Sequence, residues 1–158
     1  MKFNLFIIII IIILIYISCY FIFPPSVQIL QTTITDFNFP VLYARQPIVI
    51  YDYLQEKEEL INSWFKFNYK KNLEIQENQW IYNKYKYLFI NANIDTEIII
   101  YKASISSKIP TENDSIIAIK LKKDQSLILP YRWKYFHNND INIWGIHDLI
   151  TFFVSLVF

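Results

Sequence analysis

The side chains able to do chemistry are few. The 158 residues include two histidines, His137 and His147, one cysteine, Cys19, and one glycine. A facial metal triad needs two imidazoles and a carboxylate converging on one ion, with positions left open for oxygen and substrate. Here Asn138 and Asn139 follow His137, and Leu149 follows Asp148, so no His-x-Asp or His-x-Glu pair exists. His137 opens an expected turn and His147 an expected helix, so both read as surface or helix-start histidines. A serine nucleophile needs a base within reach and glycines that allow the sharp backbone turns of an oxyanion hole. A phosphate-cradling loop needs glycines too, and this chain lacks them. Glu56, Glu58 and Glu59 are close in sequence but point to different parts of a helix surface, whereas a glycosidase pair must converge in a cleft. Cys19, alone inside an apolar run, forms neither an intrachain disulfide nor a cysteine zinc cluster. No metal site, cofactor or catalytic set is expected from these residues.

Aromatic residues interleave with lysines in Phe65 to Asn72 and Tyr82 to Phe89. Single-strand stacking platforms look similar, but the exposed and buried faces of a strand give the same alternation. Lys84 and Lys86 are expected outside, Tyr85 and Tyr87 inside. A formal charge of +1 provides no basic field to hold nucleic acid, so no nucleic-acid partner is expected. In "YRWKYF", Tyr131, Trp133 and Tyr135 are expected to share a core face, with Arg132 and Lys134 on the other. In an open sandwich those aromatics would instead line a pocket suited to a glycan or peptide.

The elements that must position these residues follow from hydrophobic period. Leu5 to Phe23 is uninterrupted by charge and reaches roughly 28 Å as a helix, close to the hydrocarbon thickness of a bilayer. A transmembrane anchor over 1–25 is expected, ended by Pro24 and Pro25. Lys2 precedes it and no basic residue follows until Arg45, which places the amino terminus in the cytosol and the remainder across the membrane. A cleaved signal peptide would need small residues two apart near its end, and Tyr16 beside Ser18 is too bulky.

Residues 26–40, rich in Thr, Ser, Gln and Pro, read as a stalk, and 41–158 as one compact domain. Pro47 to Leu54 begins as a strand, and Asp52 is placed to cap the helix after it. In that helix Leu54, Ile61, Trp64 and Phe65 fall on one face while Glu56, Lys57 and Glu59 face outward. From Trp80 onward the period is two: strands are expected from Trp80 to Ser104, broken at Asn91 to Asp95, then over Ile116 to Leu121 and in "SLILP", "YRWKYF" and "INIWGI". His147 to Phe158 reads as a short apolar helix, under about 20 Å long, packing on its own domain or on a second copy. "NDS" at Asn113 is a glycosylation sequon in an expected loop. The fold expected is mainly β: an antiparallel sandwich or barrel with one amphipathic helix and a C-terminal helix.

Ile116 to Phe136, "IIAIKLKKDQSLILPYRWKYF", resembles the carboxy-terminal motif of JmjC-like cupins. It has a strand, a tight turn, a strand ending in Leu129-Pro130, and a tryptophan, Trp133, three residues past the proline. In that family the pattern continues to a histidine that binds iron, and in this chain Tyr135 stands in its place. Asp124 and Gln125 stand where the family usually has a glycine. The resemblance implies a jelly-roll domain that has lost its iron ligand. The Ile-, Asn-, Lys- and Tyr-rich composition behind an apolar anchor also resembles membrane proteins of giant DNA viruses. Together these imply a membrane-anchored, non-catalytic scaffold whose partners are the lipid bilayer and other membrane or virion proteins. The competing functions are a membrane-bound oxygenase or sugar-modifying enzyme of the cupin class, and a lectin-like binding module.

Overall fold

The computed structural model describes residues 2–21, 26–53, 57–74, 78–102, 109–111, 114–149 and 151–152. Within them the chain is mainly β, with two sheets and three helices. Helix α1 covers Lys2–Phe21, α2 Phe39–Tyr43 and α3 Lys57–Trp64. The strands are β1 Leu30–Thr32, β2 Ile48–Ile50, β3 Tyr69–Asn72, β4 Ile81–Tyr82 and β5 Tyr87–Ala92. They continue with β6 Thr96–Lys102, β7 Ile116–Leu121, β8 Ser126–Pro130, β9 Trp133–Phe136 and β10 Ile141–His147. One sheet has the order β1-β2-β8-β5-β10-β3, the other β4-β9-β6-β7. Every pairing is antiparallel except β1 with β2. From β3 to β10 the chain crosses repeatedly between the sheets, so β3 pairs with the last strand and β4 with the one before it.

Two apolar layers hold this arrangement. Between the sheets pack Leu88, Ile90, Ile98, Ile100, Leu129, Trp133, Tyr135 and Ile143, among others. Behind the larger sheet, Tyr87, Phe89, Ile128 and Ile146 meet Ile61 of α3, Phe65 just after it and Leu42 of α2. β5 therefore contributes to both layers. That is why "YLFINA" reads as an unbroken apolar run rather than an alternation, and all six of its residues are buried. Each fully buried Leu, Ile or Phe of these layers stabilises the fold by about 1.5–3 kcal/mol. In α3, Ile61 and Phe65 are buried and Glu58 and Glu59 exposed, the amphipathic face expected of it. Lys57 pairs with Asp124 at 3.0 Å. Leu54 and Glu56 lie outside the described residues.

Several expectations are corrected. The segment 26–40 supplies β1, an edge strand held by Leu30 N–H donating to the Pro47 carbonyl at 2.9 Å. The buried Gln46 amide bonds Gln28 N–H at 3.0 Å and the Ser26 carbonyl at 2.8 Å. These bonds fasten the expected stalk to the domain. Asp52 accepts from Ile34 N–H, and residues 54–56, which join it to α3 and on which the expected cap would act, lie outside the described residues. "YRWKYF" is not one strand: β8 ends at Pro130, and Tyr131 and Arg132 form a turn with Arg132 at φ 69°. Lys134 is buried, not exposed, with its Nζ over the Tyr101 ring at 5.5 Å.

His137 is fully buried rather than a surface residue, because the chain folds back over it and its Nδ1 lies 3.0 Å from the Asn139 carbonyl. His147 ends β10 and is buried as well, rather than opening a helix. A helical turn begins one residue later, with Phe152 N–H donating to the Asp148 carbonyl at 3.0 Å. The remainder of the expected C-terminal helix, and Asn113 with its sequon, lie outside the described residues.

α1 is continuous over Lys2–Phe21, and Leu5 to Ile15 are exposed on every side. Among the described residues no helix is long and apolar enough to cross a membrane.

Candidate functional site

The motif residues singled out by sequence lie at the join of the two sheets. Leu129 and Pro130 pair with Leu88 and Tyr87 in the larger sheet. Trp133 and Tyr135 point between the sheets and are nearly inaccessible, at 1% and 3% exposure. Tyr135 faces Ile81 and Ile100 across the ladder and stacks on His137 with ring centroids 6.1 Å apart. Burial, with a smaller contribution from Tyr85, pushes its hydroxyl well above the ordinary phenol range. Tyr131, on the turn, packs edge-on to Tyr82 at 6.3 Å, and burial pushes its hydroxyl up to about 12. The position where the resembling family places a ligand is thus occupied by a packed ring. Among the described residues no three His, Cys, Asp or Glu side chains gather to hold a metal.

Asn83, unremarkable in sequence, ties this region together. At 1% exposure it donates from Nδ2 to the Leu129 and Pro130 carbonyls at 2.9 and 2.7 Å, and its Oδ1 accepts from Tyr85 N–H at 2.8 Å. Its own N–H reaches the Trp133 carbonyl at 2.9 Å. The segment before β5 is thereby fixed to the β8–β9 turn, and with it the direction of Tyr85 and Lys86.

The polar cluster with the densest bonding lies at the foot of α1. β5 begins where β10 ends, with Tyr87 opposite Ile146, so the residues just outside the ladder, Lys86 and Asp148, come together. Lys86 Nζ donates to Asp148 Oδ2 at 2.7 Å and to the Tyr16 hydroxyl at 3.1 Å. The Tyr16 hydroxyl in turn donates to the same Asp148 oxygen. The other Asp148 oxygen accepts from Thr151 N–H at 2.7 Å and from the Thr151 hydroxyl at 2.6 Å, while Asp148 N–H donates back to that hydroxyl oxygen at 2.9 Å. This reciprocal pair caps the C-terminal turn. Burial alone would raise the Asp148 carboxyl, but the bonds from Lys86, Thr151 and Tyr16 outweigh it and hold the carboxyl well below the carboxylate range. For Lys86, burial acts downward and is outweighed by Asp148 and Tyr16, so the ammonium is favoured.

The single glycine belongs to this corner. A Cβ on Gly145 would come within 2.3 Å of the ring carbons of Tyr85, which lies across β10 and packs on His147 at 4.5 Å between centroids. Burial depresses the His147 pKa, opposed in part by Asp148. Beside the cluster a groove of about 540 Å³ is lined by Tyr16, Lys66, Phe67, Tyr69, Asp148 and Leu149. Its rim is open and apolar: Phe67 is 92% exposed, and Tyr69 and Leu149 60% each.

This arrangement is suited to holding position rather than to moving protons. A carboxylate held this far below neutrality, with both oxygens engaged, is a poor general base, and a lysine held charged is a poor nucleophile. No protein-family model matches the chain, and no curated protein matches it. The reading of the site therefore rests on its geometry. Sequence reasoning missed Tyr16 and Gly145, although the first hydroxyl inside an otherwise apolar run and the one glycine in 158 residues are signals that could have found them. Lys86 was not legible, because its strand alternation places it on an exposed face.

Proposed function

We propose that the protein is a membrane-anchored, non-catalytic scaffold: a β-domain of degenerate cupin type carried on an N-terminal signal-anchor helix. One observation carries the reading. From Leu5 to Ile15 the helix turns apolar side chains outward all round, while its foot is fastened to the domain through Tyr16. A helix that is apolar on every face is stable only when surrounded by other apolar matter, and in lipid its backbone needs no outside partner. The fastening makes the β-domain part of whatever the helix is held in.

The strand order supports the jelly-roll part of the proposal. From β3 to β10 the partners follow the double-stranded β-helix scheme, 3-10-5-8 in one sheet and 4-9-6-7 in the other, with β1 and β2 extending the first. Trp133 and Tyr135, filling the space between the sheets, favour a scaffold over an oxygenase, a sugar-modifying enzyme or a lectin-like module, each of which needs an open interior. Partners would be other membrane or virion proteins, engaged at effective concentrations raised by tethering. Lys2 before the apolar run, with no basic residue after it until Arg45, supports an amino terminus on the cytosolic side.

Expression of the whole chain in cells, followed by alkaline carbonate extraction of the membranes, tests the anchor. Retention in the pellet is the expected result; release into the supernatant overturns it. Glycosylation at Asn113 in microsomes would report the translocated side, and an Asn113→Gln control would identify the site.

A further inference from the structure

We propose that the β7 edge of the smaller sheet is a self-association site, where β7 of a second copy of this chain adds antiparallel about Ile117 and joins two domains through one continuous sheet. The inference goes beyond the anchor reading and does not depend on it. It begins with how the sheet edges are protected. An edge strand exposes a row of backbone donors and acceptors, and proteins guard it with very short strands, lysines, prolines or bulges. Among the described residues β1 is three residues long, β4 two, and β3 carries Lys70 and Lys71. β7, the remaining edge, runs for six residues, Ile116–Leu121, with neither a proline nor a break in its register against β6. Its one charge is Lys120, and three of its residues are isoleucines, whose β-branched side chains favour strand pairing. Its outer backbone groups bond to nothing among the described residues.

The side chains say which strand fits this edge. Directly opposed residues of an antiparallel pair lie on one face of the sheet. Ile117, Ile119 and Leu121 face the core while Ile116, Ala118 and Lys120 face outward, so a second β7 fits in a register that sets inward residues against inward ones. Centred on Ile117, the pairing sets Ile117 against its own copy, Ile116 against Ala118 and Lys120 against Asp114. By two-fold symmetry each unlike contact is made twice. Asp114 is fixed in place: its Oδ2 accepts from the Thr111 N–H at 2.7 Å and the Thr111 hydroxyl at 2.9 Å, while Oδ1 has no bond among the described residues. Lys120 stands opposite Glu97 of β6 and forms no ion pair among the described residues. The two ends of the edge thus carry opposite charges, which meet when two copies run antiparallel, and opposite charges across a strand pair are favourable. A parallel pairing in register would set like charges together. A pairing centred on Ala118 would set Ile116 against Lys120 and carry Asp114 past the end of the strand, to Lys122.

The test uses the whole chain in density-matched detergent micelles, with its mass followed by sedimentation equilibrium over a range of concentrations. The parent should approach twice the chain mass as concentration rises. Ile116→Lys/Ala118→Lys, at two exposed positions, sets lysines against lysines across the paired edge. It should stay at the chain mass while keeping the circular dichroism of the parent. A parent that remains monomeric overturns the proposal, and so does a dimer that the two lysines leave intact, which would place association on another surface. The register is read in a Cys19→Ser background by mixing differently tagged Asp114→Cys and Lys120→Cys chains under mild oxidation. Disulfide-linked heterodimers are expected, with little linkage in either variant alone, where like cysteines would lie about 20 Å apart along the paired strands. Linkage in the single variants and none specific to the mixture overturns the pairing about Ile117.

Discussion

Replacing Asn83 by alanine is the most exacting check on the packing, because the chain gives no sequence motif for this residue and the structure gives it three side-chain bonds, two of them fully buried. Asn83→Ala removes the donors to the Leu129 and Pro130 carbonyls and the acceptor for Tyr85 N–H. At about 1 kcal/mol net for each intramolecular bond, the loss is about 3 kcal/mol. Partners left dry would raise it further, by about 1–3 kcal/mol for each group that water cannot reach. Against a typical stability of about 5–15 kcal/mol this is a large fraction. For a domain of this size it lowers the melting temperature by roughly 10 °C. The assay is thermal unfolding of the full chain in detergent micelles, followed by near-ultraviolet circular dichroism, where Trp133, Tyr131 and Tyr85 report the affected corner. Asn83→Asp keeps the acceptor but sets a carboxylate against two carbonyls, so it should be no more stable than the alanine variant. A loss below about 1 kcal/mol in Asn83→Ala, or an aspartate variant as stable as the parent, would refute the account of this residue as the tie between the β8–β9 turn and the start of β5.

Three further outcomes follow from the same corner and from the β7–β8 turn. Gly145→Ala drives a Cβ into the Tyr85 ring and should destabilise by about 1–3 kcal/mol; in a Tyr85→Ala background the same change should be nearly neutral, as a double-mutant cycle by urea denaturation would read. Asp124 holds φ 68°, so Asp124→Gly relieves about 1 kcal/mol of backbone strain while losing the Lys57 pair, worth about 0–1 kcal/mol, and should stay within about 1 kcal/mol of the parent, whereas a β-branched residue there should be clearly worse. The Asp148 carboxyl is held below its unfolded pKa, so its contribution is complete above about pH 4 and is lost as pH falls through the native value; unfolding measured against pH should therefore show an acid limb that flattens in Asp148→Asn.

Much of the β-domain was legible because burial on one face leaves a period in the sequence. β6 shows it: Ile98 and Ile100 face the core while Glu97 faces out, and the expected strand is present. The turn at Asp124 was legible from the resemblance, which marks a glycine position. The chain answers with an aspartate in the left-handed conformation, one of the few side chains that tolerate it. What was not legible depends on partners distant in sequence. β1 is three residues long and only half-buried, so it carries no period of its own and exists because Ile48–Ile50 offers it an edge. β3, with Lys70 and Lys71, looks like a solvated loop, yet lysines are what an exposed edge strand carries to avoid pairing with another chain. His137 was misplaced because a polar residue before Asn138 and Asn139 reads as a turn, and only the tertiary fold closes over it. The clamp at the foot of α1 joins residues 16, 86 and 148, whose meeting no local pattern encodes.

That clamp and the exposed helix explain one another. An ion pair open to water contributes about 0–1 kcal/mol, too little to fix a helix against a domain. Lys86 and Asp148 are each only 22% exposed, and Tyr16 and Thr151 take up further bonding capacity of the carboxylate. Partly out of water, the two charges attract each other more strongly than they would at an open surface. The cost of desolvating them is offset only to the extent that each is also hydrogen-bonded to a polar neighbour. Salt should therefore loosen the clamp less than it would an exposed pair. Lys86→Met removes the ammonium while keeping most of the stem. It should free the orientation of α1 relative to the domain, seen as broadened distance distributions between spin labels on Ser18 and Asn138, without releasing the chain from vesicles. Unchanged distributions would show that the helix is held by something other than this pair.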